Sequence, residues 1–451
     1  MAPPRLPAVP GAPALTLLAA ALLPVALALA GSLLSRHLAA AGDGALHRVT
    51  LYTLAGAVGF HLWVTLLDLA GLPWSPLLLA APFALLLALF GLEVLRRRRS
   101  PAGARLPSDL GWGDGAALFA LTVFALLALT AWIATPDFIY HWGVKGHRFE
   151  LARGVDYGYL AAGWNWALHP DYPNLLPELF AATALLGDGF DAPAMMLWSV
   201  VFFGLMLGSA RQALREESRF SRQAGLALVA LAAAMFGIGH LAAGAADWML
   251  ALALMAALPA LLRPPDPAGD LQIGVAAAFA AAAKIEGIPL AAFLVLTQLA
   301  RRALAARRMD PWAASRLVLP GALVVLPWVF QTLRHGLIQP FTSGGFEISR
   351  AGKIFPALLE SLAVPSWHGL TAAALLLPPL LALHRRTRPL ALVAALQLTF
   401  YLYAYFTAPV DTRYYVISSF PRLLLQVIPA LLVAGVAALA RPTGGPSSHS
   451  S

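Results

Sequence analysis

The amino-acid sequence predicts an all-α integral membrane protein with about thirteen transmembrane helices. Of its 451 residues, 59% are hydrophobic and only 12% are charged, whereas an ordinary soluble domain has about 25% charged residues. The mean hydropathy is +0.73. Apolar runs of about 18 to 25 residues recur along the chain, and each is long enough to cross a hydrocarbon core of roughly 30 Å. These observations exclude a water-soluble fold.

The candidate spans are the apolar runs themselves. Because the run 12–34 is longer than the apolar part of a typical signal peptide, we interpret it as a retained first helix. Two parts of the count stay open: 271–283 is short and Ala-rich, and 175–186 fits either a surface helix or a shallow membrane segment. The predicted spans are 12–34, 50–71, 75–95, 115–135, 193–210, 223–239, 247–262, 271–283, 287–300, 317–333, 369–384, 390–407 and 422–440.

Clusters of basic residues predict how the helices cross the membrane. Arg96–Arg99 is the strongest cluster, and the positive-inside rule places it in the cytoplasm. Alternation from this point puts the N-terminus outside and the C-terminus in the cytoplasm. The other basic clusters then fall on the cytoplasmic side as well, and they are 211–222, 263, 301–308, 384–388 and 441.

The same pattern divides the chain into three parts. Residues 1–110 are predicted to form a three-helix membrane segment that ends in the Arg cluster. Residues 111–441 are predicted to form the main membrane core, and residues 442–451 a disordered tail. The chain has no clear internal repeat, although inverted repeats are common among secondary transporters.

Composition and missing motifs exclude several kinds of function. The formal net charge of +9 comes from short basic clusters between apolar runs, where such residues orient helices, so we do not expect a nucleic-acid partner. The absence of cysteine excludes disulfides, thiolate metal sites and cysteine nucleophiles. The sequence also lacks a phosphate-binding Walker loop, a His-Glu-x-x-His metal motif and a Gly-x-Ser-x-Gly nucleophile motif.

Unusual polar residues instead lie in the segments predicted to face outward. Asp137 follows a Thr-Pro pair typical of a helix start, and His141 and Lys145 follow it at intervals of four residues. This spacing places the three side chains on one stripe, while Trp142 and Phe149 suit an amphipathic helix lying in the membrane interface. A capping Asp on an ordinary interfacial helix is the simpler interpretation.

Two further outward segments place ionisable residues at helix ends. Asp247 opens a predicted span, where a carboxylate favours the positive end of the helix dipole. Lys284 and Glu286 interrupt what would otherwise be one long hydrophobic stretch, and such a pair at membrane depth indicates a functional site. Capping and a plain outward turn are the respective alternatives.

The loop 169–174 is fixed by two prolines and carries His169 and Tyr172. Its aromatic neighbours Trp164 and Trp166 suit either stacking on a sugar or anchoring the chain at the headgroup level. Arg413 and Arg422 flank the last span on the outside, where a guanidinium suits a lipid phosphate. A salt bridge with Asp411 is the alternative there.

Four motifs in this order resemble bacterial membrane proteins of the GT-C glycosyltransferase superfamily. They are Asp137 with His141, Trp142 and Lys145; His169-Pro170-Asp171-Tyr172-Pro173; Ala246-Asp247; and Lys284-Ile285-Glu286-Gly287. The resemblance covers roughly residues 115–440. This sequence departs from the family pattern at two places. A single Asp137 after Pro136 replaces the usual acidic pair, and Ile285 replaces the usual Asn of the Lys-x-Glu-Gly motif.

The resemblance implies a GT-C-like core, a polyprenyl-phosphate-sugar donor and an acceptor that is a lipid, a glycan or a protein. It implies that Asp137 is the general base of an inverting displacement, and that Lys284 and Arg422, with Arg413 in reserve, bind the phosphate. The residues implied to position Lys284 or bind the substrates are Glu286, Asp247, His141, Lys145, Tyr172, Trp142 and His169. A divalent cation stays open, with Asp137 and Asp247 as its ligands if one binds.

Three other functions remain as alternatives. A transporter or flippase would need polar residues near mid-membrane on several helices. A polysaccharide polymerase or ligase would use an outward loop rich in Arg and His, and the segment 334–365 carries Arg334, His335, Arg350 and Lys353. The third alternative is a scaffold without catalysis.

Overall fold

A computed structural model describes the protein over residues 13–34, 37–40, 42–97, 109–130, 133–306, 310–337, 345–363, 368–408 and 411–440. Over these ranges the chain is helical and contains no β-strand. An isolated backbone bridge joins Ala134 to Ala243. The predicted tail and the Arg98–Arg99 end of the basic cluster lie outside the described residues.

The described residues form α-helices that follow closely upon one another. Short segments of other helical type occur at Phe138–Trp142, which is a π-helix, and at Gly163–Leu168 and Ile348–Arg350, which are 3₁₀-helices. The α-helices are α1 (Pro13–Leu34), α2 (Ala45–Leu69), α3 (Pro76–Arg97), α4 (Trp112–Leu129), α5 (Gly143–Ala152), α6 (Tyr157–Ala161), α7 (Leu175–Leu186), α8 (Ala192–Ala213), α9 (Arg219–Gly239), α10 (Asp247–Leu262), α11 (Pro267–Ala283), α12 (Gly287–Ala306), α13 (Pro311–Arg334), α14 (Ala351–Ala363), α15 (His368–Ala382), α16 (Arg388–Thr407), α17 (Thr412–Leu425) and α18 (Ile428–Leu439).

Eight of the described helices are long and apolar enough to cross a membrane, and they are α1, α2, α4, α8, α9, α12, α13 and α16. The pair α17 and α18, bent by 49°, makes a ninth if it counts as one span. The protein is therefore an all-α, multi-pass membrane protein. A helix also lies over each of the other predicted runs, but α10, α11 and α15 have 16, 17 and 15 residues. Thirteen spans thus stays a prediction.

The short helices α10 and α11 occupy the centre of the fold. Every residue of α10 is buried, and α8, α11 and α18 pack around it. The Ala-rich α11 lies against α10, α12 and α13, because small side chains allow helix backbones to approach closely. A Cβ on Gly274 would stand 2.2 Å from the carbonyl oxygen of Arg316. Both helices are shorter than the roughly 20 residues that cross a bilayer, and other helices surround them.

The helix α7 is enclosed by the protein. Its residues from Leu175 to Ala184 are all buried, and it packs against α5, α1 and α2. The surface-helix interpretation of 175–186 is therefore wrong. Its 12 residues are too few to cross a bilayer, which takes about 20 residues at 1.5 Å per residue.

Ion pairs join segments that were predicted to lie on the same side of the membrane. At the predicted cytoplasmic end, the pairs are Arg211–Asp114, Arg222–Asp109, Arg263–Asp43, Arg302–Asp270 and Arg386–Glu217. At the predicted outward end, the pairs include Arg422–Asp137 and Arg413–Glu360. This grouping agrees with the alternation of loops, while the absolute orientation stays a prediction.

Candidate functional site

Buried charges meet where α10 begins and where α11 turns into α12. The Nζ atom of Lys284 lies 3.2 Å from Oδ1 of Asp247 and 3.2 Å from Oε1 of Glu286. Asp247 is completely buried and Lys284 is 3% exposed. Because an unpaired charge in a low-dielectric interior costs several kcal/mol, each of these groups depends on the others.

A second ion pair adjoins this triad. Nη1 of Arg422, in α17, lies 2.6 Å from Oδ2 of Asp137. The guanidinium also interacts electrostatically with Asp247 and Glu286. Side chains from four distant segments, all predicted from the sequence, thus come together. We call Asp137, Asp247, Lys284, Glu286 and Arg422 the charged cluster.

Backbone contacts position Asp137 next to the start of α10. The amide of Thr135 donates to the carbonyl oxygen of Ala243 at 2.9 Å, and the amide of Ala243 donates to Ile133 at 3.0 Å. Gly244 adopts a φ of +80°, and a Cβ there would lie 2.7 Å from the ring of Phe138. A side chain at position 244 would therefore push the two segments apart.

Two polar residues of the site were not predicted from the sequence. Nε2 of Gln426 donates to Oδ1 of Asp247 at 2.6 Å, and the Tyr401 hydroxyl donates to Oε1 of Gln426. Both residues lie inside apolar runs that were interpreted as plain spans. An isolated Gln in such a run was the available signal, since a buried amide needs a hydrogen-bond partner.

Some polar atoms of the charged cluster retain unused hydrogen-bonding capacity. Oδ2 of Asp247, Oε2 of Glu286 and Nε of Arg422 are buried and have no hydrogen-bond partner within the described part of the chain. Buried polar atoms are almost always satisfied, so a ligand or water with both donors and acceptors fits this position. Burial raises the pKa of Glu286, which favours its neutral form more than in water.

An aromatic wall, made of His141, Trp142, His169 and Tyr172, borders the charged cluster. The rings of His169 and Tyr172 stack with centroids 4.5 Å apart, and His141 meets His169 edge-on at 5.0 Å. Tyr172 interacts electrostatically with Glu286, which places the wall beside the cluster. Trp142 and His141 are buried, whereas His169 and Tyr172 are partly exposed, so these two rings are available for stacking on a ligand.

A helix forms after Asp137 as predicted, but the expectation that its apolar face lies in the membrane interface is wrong. The segment begins as a π-helix over Phe138–Trp142 and continues as α5, which packs on α7. Trp142 and Phe149 therefore contact protein instead of lipid: Trp142 packs against Tyr172, and Phe149 packs against Trp74. The π-turn also changes the spacing, so that Asp137 pairs with Arg422 while Lys145 donates to the carbonyl oxygen of His169 at 2.7 Å.

Lys145 should oppose folding less as the pH rises through the alkaline range. Burial lowers the pKa of this lysine from 10.5 to about 7. Between these values the unfolded chain binds a proton that the folded chain lacks, so raising the pH removes a penalty on folding. We expect the melting temperature of wild type minus that of Lys145→Met to rise from pH 7 to pH 10. A constant difference would contradict the predicted shift.

Arg413 lies apart from the charged cluster. Its side chain is 64% exposed and donates three hydrogen bonds to the carboxylate of Glu360 in α14, at 2.8, 2.9 and 3.2 Å. The alternative of a salt bridge with Asp411 is also wrong, because Asp411 instead accepts from the amide of Tyr414 and caps α17. Arg422, and not Arg413, is the arginine at the site.

Replacement of Arg413 by Gln should change little. An exposed ion pair contributes about 0 to 1 kcal/mol, since water and salt screen the two charges. We expect a melting temperature close to that of wild type and unchanged binding of any ligand at the charged cluster. A loss of ligand binding in purified Arg413→Gln would return this residue to the site.

The carboxylates considered as metal ligands are already engaged. Asp137 pairs with Arg422, and Asp247 pairs with Lys284. Within the described ranges, no group of three or more His, Cys, Asp or Glu side chains is arranged to hold a metal ion. A cation bound between Asp137 and Asp247 would have to displace both basic side chains.

Comparison with known proteins identifies no relative. No protein family matches the chain, and no curated protein or solved structure is significantly similar to it. The functional interpretation therefore depends on the geometry described above and on the motifs of the sequence.

Proposed function

We propose that the protein is a membrane glycosyltransferase with a GT-C-like core of about thirteen spans, and that it acts at the outward face of a bacterial inner membrane. It moves a sugar from a polyprenyl-phosphate donor to a hydroxyl of a lipid, glycan or protein acceptor. The observation that carries this proposal is the charged cluster, in which Asp137 lies 2.6 Å from Arg422, beside a buried Lys284. A base and two cations are thus available together.

The two cations of the cluster suit the donor's phosphate. Arg422 has a buried Nε without a partner in the described chain, and Lys284 supplies a second positive charge nearby. Burial alone would lower the pKa of Lys284, but the carboxylates of Asp247 and Glu286 outweigh this and raise it, so the ammonium stays charged. Charge that builds on the leaving oxygen is stabilised by such preorganised cations.

Binding of the donor would also free the base. With all groups ionised, the cluster has three carboxylates and two cations, so an incoming phosphate must replace a carboxylate. If the phosphate takes Arg422, the carboxylate of Asp137 loses its ion-pair partner and can accept a hydrogen bond from the acceptor hydroxyl. Binding of the donor and release of Asp137 from its ion pair with Arg422 would then occur in the same step.

The proposed reaction is a single displacement. The acceptor oxygen bonds to the anomeric carbon while the bond from that carbon to the phosphate oxygen breaks, and the hydroxyl proton passes to Asp137. The electron pair of the broken bond leaves with polyprenyl phosphate. One displacement inverts the anomeric configuration. Tyr172 of the aromatic wall borders the place where the sugar would lie.

The test is turnover of radiolabelled polyprenyl-phosphate hexoses and pentoses by detergent-purified protein, with and without a chelator. Release of polyprenyl phosphate together with an inverted glycoside supports the proposal. Equal rates with and without the chelator assign the chemistry to side chains alone. If no donor in the panel is bound or consumed, the proposal is wrong.

A transporter is the second candidate, and a buried pair favours it. Nδ1 of His61, within the candidate span α2, lies 2.6 Å from Oε2 of Glu178, and both side chains are buried. Ionisable residues inside a span often mark an ion or substrate path. Proteoliposomes loaded with a labelled lipid-linked sugar distinguish the two functions, since a flippase changes the leaflet of the label without cleaving the sugar.

A further inference from the structure

A small cavity lies between α2, α7 and α13, toward the predicted outward end. Its volume is about 30 Å³, which is the space of roughly one water molecule or one small ion. The loop 169–174 separates it from the charged cluster, because Tyr172 borders the cluster while Pro170 and Asn174 line the cavity. Nothing in the proposed transfer reaction uses this space.

The polar lining of the cavity consists mostly of hydrogen-bond acceptors. Two carboxylates, Asp68 and Glu178, contribute to it. Gln331 is only 6% exposed, and its Oε1 atom has no hydrogen-bond partner within the described residues. Oδ1 of Asn174 and Oγ1 of Thr332 are likewise buried without a partner there. Such atoms cost free energy unless a donor or a cation meets them.

The charges of the lining point to a positive ligand. His61 is paired with one oxygen of Glu178, and Asp68 accepts a hydrogen bond from the amide of Val155 at 3.3 Å. Two carboxylates therefore face one imidazole. Glu178 is buried and Asp68 is half-buried, and an excess of negative charge there is unfavourable unless a cation or a proton offsets it.

We propose that this cavity binds one divalent cation of the Ca²⁺ type. Calcium takes six to eight oxygen ligands from carboxylates, side-chain amides and water, and it tolerates irregular geometry, whereas Mg²⁺ requires a near-ideal octahedron. The lining offers carboxylate, amide and hydroxyl oxygens, and the chain has no thiolate to recruit a softer metal. The ion would tie α2, α7 and α13 to the loop 169–174.

The proposal does not depend on glycosyl transfer, and Tb³⁺ luminescence tests it without any sugar donor. Trp328 lines the cavity, so its excitation should sensitise a bound Tb³⁺ ion. For chelator-treated wild type in detergent, we expect saturable green emission that Ca²⁺ displaces with a Kd on the order of 10⁻⁴ to 10⁻³ M, the range of extracellular calcium modules.

Matched Glu→Gln variants locate the ion. Glu178→Gln should raise the Kd for Ca²⁺ at least tenfold, while Glu286→Gln in the charged cluster should leave it unchanged. Thr332→Val removes one oxygen with little change of shape and should raise the Kd severalfold, which keeps the test usable if Glu178→Gln fails to fold. Trp328→Phe should weaken the emission, with Tyr157 left as a sensitiser in the lining, and keep the rise in melting temperature caused by Ca²⁺.

Three results would overturn the assignment. Wild type that shows no saturable emission has no such site. Equal affinity in wild type, Glu178→Gln and Thr332→Val places the ion elsewhere. Loss of binding in Glu286→Gln with retention in Glu178→Gln moves the ion to the charged cluster.

Discussion

Replacing Asp137 by Asn is expected to lower the rate of sugar transfer by a factor of about 10² to 10⁴, the usual contribution of a general base. The amide cannot accept the acceptor's proton at neutral pH. Asp137 also competes with the donor phosphate for Arg422, with which it forms a 2.6 Å ion pair. We therefore expect the Kd for the donor to be no higher than in wild type. Single-turnover kinetics and equilibrium binding of the same labelled donor measure the two effects separately.

Asp411→Asn is the matched control. Asp411 also lies at the outward end of α17, but its side chain is exposed and caps the helix by accepting from the amide of Tyr414. Since Asn is as good an N-cap as Asp, this variant should keep both stability and transfer. If Asp137→Asn retains the wild-type rate, another group deprotonates the acceptor and the assigned role is wrong.

Removing the ammonium of Lys284 should destabilise the protein more than any other single change in the site. In Lys284→Met, the fully buried carboxylate of Asp247 and the largely buried carboxylate of Glu286 lose the cation that lies 3.2 Å from each of them. Breaking a buried ion pair on one side costs about 3 to 5 kcal/mol, because the remaining charge stays buried without compensation. Thermal and denaturant unfolding in a fixed detergent measure the loss.

Two further variants separate charge from packing. Lys353→Met makes the same substitution on an exposed residue of α14 and should change stability by less than about 0.5 kcal/mol. The double variant Lys284→Met with Asp247→Asn removes one stranded charge and should recover part of the lost stability. If the double variant is no more stable than Lys284→Met, lost packing explains the effect and electrostatic coupling does not.

Each residue of the charged cluster was predictable from the sequence, but the partner with which it forms an ion pair was not. Charged residues are rare in an apolar chain, so Asp137, Asp247, Lys284, Glu286 and Arg422 were each conspicuous. Spacing predicted that Asp137 and Lys145 share one stripe, yet they meet different partners, Arg422 and His169. The partner of a side chain depends on which distant segments pack beside it, and the spacing of residues contains no such information.

Residues inside apolar runs were the ones missed. Gln426 lies in the predicted span 422–440, and the chain breaks there into α17 and α18 with a bend of 49°. This break aims the Gln426 amide at Asp247. The hydropathy of the run was correct, but an average over many residues hides both the isolated amide and the bend.

Local composition was sufficient for the class of the protein, because the transfer of apolar side chains out of water is additive along a helix. It predicted where the helices run and which loops lie together. Only tertiary packing decided that α7, α10 and α11 are covered by protein, that Arg422 and not Arg413 reaches Asp137, and that Trp142 is buried. These outcomes depend on contacts between segments far apart in the chain, and such contacts exist only after the helices have packed.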